Sequence, residues 1–118
     1  MKIKPQLHSL GLVDSQIDLE SMKLICNVLE ESSLGKKNSD VRINFLNFSF
    51  CYLSQKVFNQ LLQSIGMNNT LINLNLSNNK LGNQGCGKLC KVLQSNISLL
   101  NLNIAGNLLT DDFGFDLS

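Results

Sequence analysis

Residues 71–93 read LINLNLSNNKLGNQGCGKLCKVL, and the stretch is one copy of a pattern that fills the chain. Leu71, Leu74, Leu76, Asn79, Leu81 and Leu89 recur twenty-eight positions later as Leu99, Leu102, Ile104, Asn107, Leu109 and Leu117. Twenty-eight positions earlier the same frame holds Ile43, Leu46, Phe48, Cys51, Leu53 and Leu61. Thirty-six positions before that it holds Leu7, Leu10, Leu12, Ser15, Ile17 and Ile25. A fixed period of this length means that one supersecondary unit is stacked on its own copies. The units fall at about 7–42, 43–70, 71–98 and 99–118, and together form a single domain.

Each half of the unit has its own geometry. In a short strand, alternation puts Leu74 and Leu76 on one face and Asn73 and Asn75 on the other. Leu89 and Leu93 stand four apart, on one stripe of a helix that covers the same apolar face. One unit cannot bury that face alone, so its neighbours must. Ser54 is placed to cap a helix carrying Val57, Leu61 and Ile65, with Gly66 as its stop. Thr110, followed by Asp111 and Asp112, opens another helix, with the acids near the positive end of its dipole.

The run Leu-x-x-Leu-x-Leu-x-x-Asn/Cys-x-Leu, with Ile or Phe allowed for Leu, resembles the leucine-rich repeat of the long, ribonuclease-inhibitor-like type over about residues 7 to 118. The resemblance implies an α/β solenoid: a short right-handed horseshoe with a concave parallel sheet and convex helices. It also implies that the Asn/Cys side chain bonds to the backbone of the neighbouring turn. That position holds Ser15, Cys51, Asn79 and Asn107. At roughly 1 kcal/mol net per bond, the first two units should be less firmly tied. Phe113 stands where the third copy has Gly85, as in a terminal or interrupted unit.

Composition narrows the classes. With 118 residues, 43% of them hydrophobic, the chain holds one small core. No apolar run has the length of a signal peptide or a membrane span, which leads to the expectation of a cytoplasmic protein, or one delivered into a host cell. Sequons at Asn47, Asn68, Asn75 and Asn96 are read as coincidence in an Asn-rich chain. Cys26, Cys51, Cys86 and Cys90 lack the His or second Cys pair of a zinc site and are read as core residues. No Asp or Glu occurs from Val41 to Thr110, while Arg42, Lys56, Lys80, Lys88 and Lys91 do. Without a row of stacking aromatics, these lysines are read as solubilising, and no nucleic acid is expected. Ser32 to Asp40 (SSLGKKNSD) has loop composition and accounts for the longer first unit.

No catalytic constellation is visible. The single histidine, His8, lacks a nucleophile in a shared motif, and Gly82, Gly85 and Gly87 form no phosphate loop. The expectation is therefore a non-catalytic protein-interaction module that needs no cofactor and no metal. Its binding surface is expected on the concave sheet face, where register aligns Ser9, Phe45, Asn73 and Asn101, then Gly11, Asn47, Asn75 and Asn103. A third row beyond the strand is Asp14, Phe50, Asn78 and Gly106. Phe45 and Phe50 are the expected anchors among the amides, with Tyr52 extending the patch. Two other classes fit the resemblance: a regulator that activates a small GTPase, and a fragment or scaffold piece of a longer array or large assembly. Self-association through the edge of the last unit is a further expectation.

Overall fold

The computed structural model describes residues 7–32 and 41–110. Strands and helices alternate along it as β1 (Leu7–Gly11), α1 (Leu19–Ser32), β2 (Val41–Asn47), α2 (Gln55–Met67), β3 (Asn73–Asn75), α3 (Gly82–Leu93) and β4 (Asn101–Asn103). The four strands form one parallel sheet in the order β1-β2-β3-β4. Leu46 pairs with Leu74 and Leu74 with Leu102, so the twenty-eight-residue offset is the register of the sheet. The thirty-six-residue offset holds from Ser9, which pairs with Phe45. It fails before that point: Leu7 pairs with Val41 rather than Ile43, because β2 accommodates its extra length in an irregularity between the Leu7 and Ser9 pairings.

One core lies between sheet and helices. Ile43, Leu46, Phe48, Leu74 and Leu76 meet Met22, Ile25, Leu29, Val57, Leu61, Ile65 and Leu89 there. Leu10 and Leu102 on the outer strands, and Leu12 and Ile104 just past their ends, occupy the same frame positions and are half-buried, since a neighbouring strand or turn covers them on one side only. Leu93 is likewise half-buried, whereas Leu89 is fully covered.

Ser54 caps α2 as its sequence context predicts, its hydroxyl accepting from the Val57 N–H at 3.4 Å. Asp18 does the same work for α1, accepting from the Ser21 N–H at 2.8 Å, and that hydrogen bond holds its carboxyl below the usual range. Gly66 does not end α2. The helix continues to Met67 and is closed by Asn68, whose N–H reaches the Ser64 and Ile65 carbonyls. The glycine serves packing instead, because a Cβ there would stand 3.2 Å from Val92 Cγ1 on α3. Ser32 is not a loop residue either: it is the buried last residue of α1. The remainder of the expected loop, Phe113, Leu117 and the helix after Thr110 lie outside the described residues.

The asparagine ladder runs through the turns after the strands. Asn79 Oδ1 accepts from the Cys51 N–H and Asn107 Oδ1 from the Asn79 N–H, both at 2.8 Å. Asn79 Nδ2 donates to the Phe48 carbonyl at 2.9 Å, and Asn107 Nδ2 donates to the equivalent Leu76 carbonyl at 2.8 Å. Cys51 keeps the donating half of this pattern, with its thiol on the Leu12 carbonyl.

A second ladder lies at the opposite end of the strands, in the same frame. Ser32 Oγ accepts from the Ile43 N–H at 2.6 Å, Asn68 Oδ1 from Leu71 at 2.7 Å and Asn96 Oδ1 from Leu99 at 2.8 Å. Thr70 and Ser98 hydroxyls donate to the Ile43 and Leu71 carbonyls at 2.9 and 2.8 Å. Among the described residues, every buried side-chain polar atom has a partner.

Candidate functional site

Alternation that sends Leu46 and Leu74 into the core leaves Phe45, Asn47, Asn73 and Asn75 on the opposite face of the sheet. The pairing places Phe45 beside Asn73 and Asn73 beside Asn101, and it places Asn47 beside Asn75 and Asn75 beside Asn103. Phe45, Asn73, Asn75, Asn101 and Asn103 line one shallow depression of about 240 Å³, with Leu74 and Leu102 also contributing to its walls. Five of the seven candidate residues thus share one concavity, and Asn47 adjoins it through its pairing with Asn75.

The two asparagine rows differ in what they have left to offer. Asn47 Oδ1 accepts from the Ser49 N–H at 3.0 Å and from its hydroxyl at 2.9 Å. Asn75 Oδ1 accepts from Ser77 N–H and Asn103 Oδ1 from Ala105 N–H, each at 3.0 Å. A backbone N–H can only donate, so the oxygen of each amide must be the atom turned toward it. The three Nδ2 groups therefore face away, with no partner among the described residues. Asn73 and Asn101 make no side-chain hydrogen bond among the described residues and are free in both donor and acceptor.

Phe50 belongs to another row. Asp14, Phe50, Asn78 and Gly106 all have left-handed backbones, with φ of 57°, 57°, 59° and 69°. Their N–H groups tie successive turns together, Phe50 to the Ser77 carbonyl and Asn78 to the Ala105 carbonyl. At Gly106 a Cβ would lie 2.1 Å from Asn78 Oδ1, so a side chain there would have to displace the Asn78 amide. Phe45 and Phe50 are 38% and 47% exposed, so both rings are accessible on the surface. Tyr52 does not extend the Phe45 patch: it lines a separate depression with Gln16, Asp18 and Lys56, and its ring lies 5.8 Å from the Lys80 ammonium.

The structure accounts for the four sequons. Asn47 and Asn75 hold the N–H two residues on, in the turn a short polar side chain favours. Asn68 and Asn96 do the same for Thr70 and Ser98. The Asn-x-Ser/Thr spacing is therefore a product of repeated turn geometry, and Asn68 is almost wholly buried.

All four cysteines are free; Cys26, Cys51 and Cys86 are buried and Cys90 is half-buried. Burial pushes each thiol up, and Cys86 reaches about 11 from an ordinary value of 9.0. Unfolding frees these thiols to ionise at their ordinary value. Their contribution to stability is thus fully present below about pH 9 and is lost as pH rises toward about 11. We expect urea midpoints to be flat up to about pH 9 and to fall above it, with thiol labelling slow until the chain unfolds. Rapid labelling of Cys86 in the native protein at pH 8 would contradict this arrangement.

No helix among the described residues is long and apolar enough to cross a membrane. No family model matches the chain. Over 91 residues it is 31% identical to a human protein, NACHT, LRR and PYD domains-containing protein 14. The aligned stretch is 77% of this chain and 8% of that protein, so the chain spans a small part of the relative it matches.

Proposed function

We propose that the chain is a stack of ribonuclease-inhibitor-like leucine-rich repeats, with units at about 7–42, 43–70, 71–98 and 99–118. It acts as a non-catalytic module that binds another protein through the concave face of its sheet. One observation carries this reading: Phe45 and four asparagines of three adjacent strands line one depression, on a sheet held at both ends by hydrogen-bond ladders. An aromatic ring among spare amides on a rigid support is the composition of a protein-binding surface. The LRR in the relative's name supports the repeat class. Four free thiols support a cytoplasmic setting.

Affinity capture from native lysate tests the binding face, comparing wild type with a Phe45→Asp, Phe50→Asp double variant shown to be folded by circular dichroism. A partner retained by wild type and lost from the variant is the expected result. Equal recovery from both would move the site off the sheet.

A further inference from the structure

Resting on the binding reading above, we propose that Asn47, Asn75 and Asn103 form a row of hydrogen-bond donors that seats an acidic amphipathic α-helix of the partner, lying across β2, β3 and β4. The row is built rather than incidental. Each amide oxygen is turned inward by an N–H two residues on, so each amide presents its NH2 outward, and the three residues pair in register.

Spacing selects the shape of the occupant. Neighbouring strands lie about 4.8 Å apart, so the three donors recur at that interval. Side chains at i, i+4 and i+7 of an α-helix recur with its pitch of about 5.4 Å, which drifts by roughly 1 Å over two steps and stays within the reach of a flexible side chain. A strand laid the same way presents same-face residues every 6.6 to 6.8 Å or so and drifts by about 4 Å. A polyproline segment, repeating at about 9.3 Å, meets Asn47 and Asn103 and leaves Asn75 unanswered.

Charge selects its chemistry. The backbone carbonyls of a helix are spent within it, so the acceptors must be side chains of Asp, Glu, Asn or Gln. A carboxylate accepts more strongly than a neutral amide oxygen, and from Val41 to Thr110 there is no acid to repel it, the lysines of that stretch lying on α2, α3 and the turn after β3. The flank of β1 differs, because Asp14 stands there beside the row of Phe50, and it repels an acidic helix from that end. Phe45, on the neighbouring row, is placed to take an apolar side chain from the flank of the same helix.

Asn75→Asp tests the proposal cleanly. It retains the inward oxygen that accepts from Ser77 N–H and replaces the outward NH2 by a negative oxygen, so the turn survives while the donor is lost. Three stapled helical peptides serve as probes, identical except for Glu, Gln or Lys at i, i+4 and i+7. Fluorescence anisotropy gives affinities, and side-chain NH2 resonances of the chain locate the binding. The Glu peptide should bind wild type at least about fivefold more tightly than its Gln counterpart, since charge-assisted hydrogen bonds are the stronger. Asn75→Asp should weaken the Glu peptide by about tenfold or more and make the Lys peptide the preferred one. Asn103→Asp, made separately, should repeat the trend.

Equal binding of the Glu and Gln peptides, with the NH2 signals of Asn47, Asn75 and Asn103 shifted, would overturn the acidic assignment and leave the face a binding surface. If no peptide shifts those signals at millimolar concentration, the helix proposal fails. The binding face itself fails separately, if capture of the native partner is indifferent to Phe45→Asp, Phe50→Asp.

Discussion

Asn79→Leu is expected to lower the unfolding free energy by about 3 kcal/mol and the melting temperature by about 10 °C. Leucine fills nearly the same space, so the loss arises from hydrogen bonding and not from a cavity. Asn79 is 2% exposed and satisfies four backbone groups, accepting from the Cys51 N–H and donating to the Phe48, Leu76 and Ser77 carbonyls. Cys51 and Phe48 are themselves fully buried, so no water replaces the missing amide. A buried group left unpaired costs about 1 to 3 kcal/mol, and the Cys51 N–H is the severest case because a donor has no second lone pair to fall back on. Urea titration followed by circular dichroism measures the effect, with the slope m unchanged if the fold is retained. A loss below about 1 kcal/mol would mean that the strands are held by apolar packing alone.

Much of this was legible from the sequence, and the reason is physical. A strand paired in parallel register repeats its environment residue for residue, so the offset between copies is the offset between neighbours in space. That is why the frame through Leu46, Leu74 and Leu102 foretold the pairing, and why Phe45, Asn73 and Asn101 fell in one row. The same logic was available for Asn68, Asn96, Thr70 and Ser98, which also stand twenty-eight apart in pairs, and for Ser32, thirty-six before Asn68. These residues form the second ladder and were missed because they lie outside the familiar pattern. Asn-x-Thr and Asn-x-Ser read as sequons, while Ser32 read as the opening of a loop.

What spacing cannot reveal is the third dimension of each contact. Gly66 looked like a helix stop because glycine commonly ends helices, but its function depends on where Val92 of another helix comes to rest. Tyr52 looked like a neighbour of Phe50 because a single residue, Cys51, separates them in sequence. Both lie at left-handed positions, with φ of 50° and 57°, and the chain turns between them, carrying Tyr52 toward the start of α2 and Lys80. The orientation of the Asn47, Asn75 and Asn103 amides was equally hidden, since it depends on which atom meets the N–H two residues on.

Phe48→Ala should be the most damaging single change, costing about 4 kcal/mol, while Phe48→Leu should cost about 1 kcal/mol. Phe48 is completely buried and is the largest side chain at its frame position, where the other copies hold Leu12, Leu76 and Ile104. Its ring fills the core between sheet and helices, which close-packed neighbours cannot collapse to refill. Leucine restores the residue that the pattern itself uses and leaves a smaller gap. The contrast between the two variants therefore separates loss of volume from loss of aromaticity, and a Leu variant as unstable as the Ala one would refute the packing account. The consequence reaches the opposite face. Phe48 follows Asn47, and its N–H donates to the Asn75 carbonyl at 2.8 Å, so the ring that anchors the core also fixes the spacing between two residues of the donor row. In Phe48→Ala, amide exchange at positions 48 and 76 should accelerate together, because the hydrogen bond from the Leu76 N–H to the Asn103 carbonyl continues the same ladder.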